Sequence, residues 1–237
     1  MIKAVTFDCW NTLILNDAAR REAMKAHFHL IFEQSGVPIE QERVDLFFEE
    51  ELVLFESHVI AHRKSLNARE RVETILNLAG IELHEEQVLE IAGFCSRTAL
   101  EHRPPLIPEV PETLEKLSQD YKLGLICNTG WHSGMVVKEV LEGYDLVKHF
   151  TCLSFSDEVG VAKPHKQIFR VTLEKLGCGS EEAVHIGDSE YADVQGADQA
   201  CMRSILFTGA SQKYADENTA EFIIDSYSQL PPLLKDL

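Results

Sequence analysis

Polar groups that could bind a metal ion or act on a phosphate recur along the chain, each at the edge of an apolar run. They are Asp8 in VTFDCWNTL, Asn128 and Thr129 in LICNTG, Lys163 in VAKP, and Asp188 and Asp193 in GDSEYAD. A carboxylate that ends a buried segment is costly unless it is paired, hydrogen-bonded or bound to a metal. Aspartate oxygens suit Mg²⁺, and an aspartate can also be a nucleophile. Taken alone, Asp8 fits a turn residue or helix cap about equally well.

These groups converge if the apolar runs are strands of one parallel sheet. The run from Ile2 to Phe7 is apolar apart from Lys3 and predicts a buried strand. Further strands are predicted at 122–127, 152–155, 183–186 and 203–207, alternating with helices at 112–119, 134–142, 164–176 and 192–200. Such alternation favours a parallel sheet with right-handed crossovers. Open sheets of this kind bind ligands at the carboxyl ends of their strands.

A helical region separates the first strand from the rest of the sheet. Its predicted helices are 17–34, 39–62, 67–80 and 85–100, with no strand between them. We therefore predict an α/β fold: a Rossmann-like parallel sheet from residues 1–15 and 104–237, with an α-helical domain of residues 16–103 inserted into it. Within the sheet, His185 is predicted to be a hydrogen-bonded core histidine.

Composition narrows the possible partners. With 22 basic and 39 acidic residues the chain carries a net charge of −17, which argues against general affinity for nucleic acid or an anionic membrane. The six cysteines are scattered without a C-x-x-C pair, which favours reduced thiols. No signal peptide or membrane-spanning stretch is recognisable. We expect a cytoplasmic protein, a monomer or homodimer, whose partner is a small molecule.

The four motifs together resemble those of the haloacid dehalogenase-like (HAD) hydrolase superfamily. FDCWNTL, LICNTG, VAKP and GDSEYAD match its four motifs in order and spacing over the whole chain. Any one of them is weak alone, whereas four in register at strand ends identify the fold. The resemblance implies that the helical insertion is a cap domain.

The resemblance also implies a phosphatase mechanism. Asp8 would attack phosphorus and form an aspartyl-phosphate that water hydrolyses. Mg²⁺ would be held by Asp8, the backbone carbonyl of Trp10 and Asp188, with Asp193 holding a water ligand or Asp188 itself. The substrate would be a small phosphorylated metabolite.

The same resemblance gives three more side chains a role. Lys163 would neutralise charge near the nucleophile, and Asn128 and Thr129 would donate hydrogen bonds to phosphoryl oxygens. Simpler explanations stay open for Lys163 as an exposed loop lysine, for Asn128 as a turn residue and for Asp193 as an exposed helix acid.

Two departures from the family pattern keep other functions open. Trp10 replaces the second Asp of phosphatases, a general acid and base whose loss typically costs about 10²–10⁴-fold in rate. The family's 2-haloacid dehalogenases, which need no metal, also have an aromatic residue there. Cys127 replaces the usual Ser or Thr, which leaves open whether Thr129 serves instead. The alternatives are therefore a metal-independent 2-haloacid dehalogenase, or a weakly active or non-catalytic binding protein of the same fold.

One basic cluster lies in the predicted cap. Arg63 and Lys64 belong to the densest group of basic residues in this acidic chain. They are candidates to bind the leaving group of an anionic substrate, although a solvated helix face explains them at least as well.

Overall fold

The computed structural model describes residues Met1–Leu237 and contains one six-stranded parallel sheet. Its strands are β1 Ala4–Phe7, β2 Lys122–Cys127, β3 Cys152–Phe155, β4 Ala183–Gly187, β5 Arg203–Phe207 and β6 Phe222–Ile224. They are ordered β3-β2-β1-β4-β5-β6, so β1 is central. All four residues of β1 are buried, as expected for a strand covered on both faces. The predicted α/β fold is thereby confirmed.

The chain divides into two compact units. The sheet unit comprises Met1–Asn16, Pro105–Asn128 and Leu141–Leu237, and the helical unit comprises Asp17–Pro104 and Thr129–Val140. The stretch 129–140, which the sequence placed with the sheet, groups with the helices. None of the helices combines the length and apolar character needed to cross a bilayer.

The helical unit is built from four consecutive helices, α1 Ala18–Gln34, α2 Gln41–His62, α3 Ala68–Ala79 and α4 Glu85–Glu101. Their buried faces form one apolar core, which includes Phe28, Phe48 and Ile75. Helix α3 shows why its ends lie where they do. Asn67 and Glu70 form a capping box at its start, and Gly80 adopts a left-handed conformation at its end.

The remaining helices lie between or after the strands of the sheet along the sequence. They are α5 Val110–Leu117, α6 Gly134–Glu142, α7 Ser156–Val159, α8 Lys166–Leu176, α9 Gln195–Gln199 and α10 Leu230–Lys235. Two differences from expectation lie near the candidate site residues. Pro164 precedes α8 instead of starting it, so Lys163 and Pro164 lie in a loop. The helix expected over 192–200 is a π-helical turn, Glu190–Val194, followed by the short α9.

Candidate active site

Asp8 follows the last residue of the central strand. Phe7 pairs with Leu125 of β2 on one side and with Ile186 of β4 on the other. The backbone N–H of Asp8 donates to the Ile186 carbonyl at 2.8 Å. Its side chain is only 6% exposed. The strand therefore carries a carboxylate to the carboxyl edge of the sheet and shields it from bulk water.

The turn after Asp8 is closed by its own hydrogen bonds. The Cys9 carbonyl accepts from the Leu13 N–H at 2.8 Å, and the Thr12 hydroxyl donates to Asp8 Oδ2 at 3.3 Å. Tyr227, fully enclosed near the C-terminus, donates its hydroxyl to the Thr12 carbonyl at 2.7 Å. A residue far along the chain thus fixes the turn that holds the carboxylate.

Lys163 is a buried cation held between two carboxylates. Its ammonium donates to Asp8 Oδ1, and to Asp193 Oδ1 at 2.6 Å, and the residue is 1% exposed. Burial lowers the pKa of Lys163, but Asp193 and Asp8 outweigh burial and raise this pKa above its ordinary value. The alternative of an exposed loop lysine is therefore wrong.

Asn128 fixes the main chain of that lysine. Its Nδ2 donates to the Lys163 carbonyl at 3.0 Å, and its Oδ1 accepts from the Lys163 N–H at 2.7 Å. These paired bonds connect the end of β2 to the loop that carries Lys163. Asn128 is therefore more than a turn residue, and its hydrogen bond to a phosphoryl oxygen stays a prediction.

Asp193 is fully engaged by hydrogen bonds. Its Oδ1 accepts from Lys163 and from His185 Nε2 at 3.1 Å, and its Oδ2 accepts from the Ser189 N–H at 3.0 Å. Burial raises the pKa of Asp193, but Lys163 and His185 outweigh burial and hold it well below its usual range. A Cβ on Gly187 would lie 2.1 Å from Asp193 Cγ, so the carboxyl group packs directly on a glycine. Asp193 is 2% exposed, and the exposed-acid alternative is wrong.

His185, in the middle of β4, orients this carboxylate from inside the sheet. Its Nδ1 lies 2.9 Å from Thr6 Oγ1, and its Nε2 bonds Asp193. Burial lowers the pKa of His185, which favours the neutral ring. Because an ionised carboxylate only accepts, Nε2 carries the proton, and Nδ1 accepts from the Thr6 hydroxyl. The predicted core histidine is hydrogen-bonded, and it also contacts the site.

Asp188 completes an acidic cluster. One oxygen from each of Asp8, Asp188 and Asp193 lies within 4.8 Å of the others. Burial, together with the charges of Asp8 and Asp193, raises the pKa of Asp188 to about 8. Burial also raises the pKa of Asp8 to about 6, although Lys163 opposes that shift. The cluster therefore carries more potential negative charge than one lysine compensates.

This donor set fits a magnesium ion. All its ligands are oxygens, which is what a hard divalent cation requires. Asp193 is already occupied by Lys163 and His185, whereas the carboxylate of Asp188 accepts a side-chain hydrogen bond from Asn11 Nδ2 at 3.3 Å. Asp188, whose pKa is raised by burial and by the neighbouring acids, is the carboxylate that would gain most from a cation.

Two further positions singled out by the sequence, Trp10 and Cys127, lie in the sheet unit. Trp10 is half-buried in the turn after Asp8, and the role of its carbonyl stays a prediction. Cys127 is buried, and its thiol donates to the Asn128 carbonyl oxygen at 3.5 Å. That Thr129 serves in place of Cys127 in the second motif stays a prediction.

The other predicted residues lie in the helical unit. Thr129 is buried at the start of its second segment, directly after Asn128. Arg63 is half-buried and ends α2 in a left-handed conformation, and Lys64 is exposed. The roles of these three residues stay predictions.

Known proteins resemble this chain over nearly its whole length. It is 29% identical, over 99% of its residues and 100% of the relative, to a glyceraldehyde 3-phosphate phosphatase of Methanothermobacter thermautotrophicus. Its fold resembles the magnesium-bound putative HAD-hydrolase YfnB of Bacillus subtilis, with a TM-score of 0.72 at 20% identity, covering 98% of each chain. It also resembles a 2-haloacid dehalogenase of Pseudomonas syringae, with a TM-score of 0.69 at 24% identity, covering 100% of this chain and 99% of that one.

A family model also matches most of the chain. The model of the haloacid dehalogenase-like hydrolase family matches residues 2–200, which include all four motifs. The resemblance inferred from the motifs is confirmed: this protein belongs to the haloacid dehalogenase-like hydrolases.

Proposed function

We propose that this hydrolase is a Mg²⁺-dependent phosphatase, which acts on a small phosphorylated metabolite through an aspartyl-phosphate on Asp8. The observation that carries the proposal is the cluster of Asp8, Asp188 and Asp193 around the buried Lys163. A relative that this chain matches over its full length is named a glyceraldehyde 3-phosphate phosphatase, which makes a triose phosphate the first substrate to test.

The reaction has two steps, and Asp8 takes part in both. A carboxylate oxygen of Asp8 attacks phosphorus, and the bond from phosphorus to the ester oxygen breaks, with its electron pair leaving on that oxygen. Water then attacks the same phosphorus, and the bond to Asp8 breaks to release inorganic phosphate and restore the carboxylate. One proton of that water balances the proton that the leaving oxygen takes up from solvent. Lys163 and Thr12, which each hydrogen-bond one oxygen of Asp8, orient the carboxylate.

Asp8, Asp188 and the Trp10 carbonyl are the groups that would hold the ion. When bound, Mg²⁺ supplies positive charge that screens the nucleophile from the phosphate and stabilises the transition state. Asp193 keeps Lys163 against Asp8, and Asn128 keeps the lysine main chain in place.

The leaving group would depart without receiving a proton from the side chain of Trp10. An indole cannot donate the proton that the usual second aspartate supplies, so esters with acidic leaving groups should be favoured. Asn128 and Thr129 would donate to phosphoryl oxygens, and Arg63 and Lys64 would face an anionic leaving group.

Phosphate release from a panel of monoesters tests this function. The panel includes glyceraldehyde 3-phosphate and an activated aryl phosphate, each assayed with millimolar Mg²⁺ and with EDTA. Asp8→Asn should abolish release, whereas Asp145→Asn, at an exposed acid, should retain it. Turnover that survives Asp8→Asn would rule out the covalent mechanism.

Trp10 is the specific observation that favours a second candidate, a metal-independent 2-haloacid dehalogenase. That enzyme would release halide from 2-haloacids in EDTA and would not hydrolyse phosphate esters. A protein that binds the esters and turns over neither substrate class would instead be a binding module.

A further inference from the structure

The segment that begins within the second motif belongs to the helical unit. Residues Thr129–Val140 group with it, beginning at the residue after Asn128. Trp131 packs against the core of the four helices. His132 is 6% exposed, and its Nδ1 lies 3.1 Å from the Ser96 carbonyl of α4. The position of this segment therefore depends on helices far from it in sequence.

Arg71, in α3, lies at the centre of these contacts. Its Nε and Nη2 each donate to the Glu51 carboxylate at 2.7 Å, a bidentate pair that fixes the guanidinium plane. The guanidinium carbon lies 4.0 Å from the Phe55 ring centroid and 4.4 Å from that of Trp131. A Cβ on Gly130 would lie 3.0 Å from Arg71 Nη1, so the Gly130 main chain packs against the same group. We call these residues the Arg71 cluster.

Stability alone does not explain the Arg71 cluster. Arg71 is 6% exposed and Glu51 is 1% exposed. A buried ion pair is often no more stabilising than apolar residues of similar volume, because both charges lose their hydration. What the pair provides here is a flat, oriented cation for Trp131 to stack on, which a lysine cannot reproduce.

We propose that Arg71 is a positioning residue for phosphate hydrolysis, which holds Gly130 and Trp131 and thereby fixes Thr129. The proposal rests on the proposed function, in which Thr129 donates to a phosphoryl oxygen. Misplacing a donor by about 1 Å can cost on the order of 10²-fold in rate. Loss of the guanidinium therefore acts on turnover through the placement of Thr129.

A kinetic double-mutant cycle between Arg71→Lys and Thr129→Val tests this coupling. Each single variant should lower kcat and kcat/KM for the best ester together, by about 10- to 100-fold, as expected when a transition-state contact is lost. In the Thr129→Val background, Arg71→Lys should have no further effect beyond about twofold. Arg69→Lys is the control, because Arg69 is an exposed arginine of the same helix that pairs with Glu73.

Fluorescence gives a readout that does not need turnover. Trp10 and Trp131 are the two tryptophans, so Trp10→Phe leaves Trp131 as the sole reporter. In that background, Arg71→Lys should increase acrylamide quenching of Trp131, and Arg69→Lys should not.

The outcomes separate the two proposals. A wild type that releases no phosphate refutes the proposed function, whatever the quenching shows. An active wild type in which the losses from Arg71→Lys and Thr129→Val multiply overturns the positioning role, as does unchanged quenching. If Arg71→Lys does not fold, Trp131→Leu takes its place in the cycle, because it removes the stacked ring and keeps the ion pair with Glu51.

Discussion

Replacing Lys163 with methionine tests whether this cation compensates the acidic cluster. Methionine keeps much of the side-chain volume and removes the charge together with the N–H donors to Asp8 and Asp193. The change leaves Asp8 and Asp193, which are 6% and 2% exposed, without their shared ammonium. Removing one partner of a buried ion pair typically costs about 3–5 kcal/mol of unfolding free energy. We expect a loss of that size at pH 8 in EDTA.

The loss should shrink as the pH falls. In the wild type the pKa of Asp193 lies below its ordinary value, so its pairing contributes fully at pH 8 and at pH 5 and is lost only as the pH falls below that ordinary value. The pKa of Lys163 is raised above its ordinary value, so its contribution is complete at every pH below that value. In the variant, Asp8 and Asp193 lose the cation that lowers their pKa values, and the pKa of Asp8 is raised to about 6 even with Lys163 present. Lowering the pH from 8 to 5 should therefore protonate Asp8 and relieve part of the uncompensated charge.

Urea unfolding followed by circular dichroism at pH 8 and pH 5 measures both effects. Lys148→Met is the matched control, because Lys148 forms an exposed pair with Asp145 and should leave the midpoint unchanged. A Lys163→Met midpoint equal to that of the control at pH 8 would refute the reasoning. A loss that is the same at both pH values would refute its electrostatic cause.

Three further predictions concern the metal, residue 10 and the glycine of the fourth motif. Mg²⁺ affinity, measured by calorimetry, should rise from pH 6 to pH 8, because Asp8 and Asp188, with pKa values of about 6 and about 8, must lose protons to bind the ion. Asp188→Asn should remove the heat of binding. Trp10→Asp should raise turnover of unactivated esters by up to about 10²–10⁴-fold and of aryl phosphates less, and equal gains would contradict the missing-acid explanation. Gly187→Ala should displace Asp193 and lower both stability and turnover, measured by thermal unfolding and phosphate release, and wild-type values would show that the packing is not required.

The sequence was most informative about the sheet unit. Apolar runs ended by polar residues predicted β1 to β5, because a buried parallel strand needs a continuous apolar segment. The strand β6 was missed: it has three residues, two of them not fully buried. The start of α8 at Lys166 was also missed, since proline marks helix starts and loops alike.

The candidate site was only partly predictable. Asp8, Lys163, Asp188 and Asp193 were singled out by type and position, and the structure brings them together. Tyr227 was not, because no local pattern shows that a tyrosine near the C-terminus bonds the turn after β1. The pairing of Asn128 with the Lys163 main chain depends on two loops meeting in space, which spacing along one chain does not reveal.

The central place of β1 also dictates when the site can exist during protein synthesis. Asp8 lies 155 residues before Lys163, and the whole helical unit except Thr129–Val140 is translated soon after Asp8. At about 5–20 residues per second, roughly 8–30 s separate the nucleophile from its counter-cation on the ribosome. The helices, whose contacts are local, can pair in that interval, whereas β1 has no neighbouring strand until β2 emerges. The strand β1 therefore stays unpaired on one side until β4 emerges, and the site can form only after the inserted helices have been made.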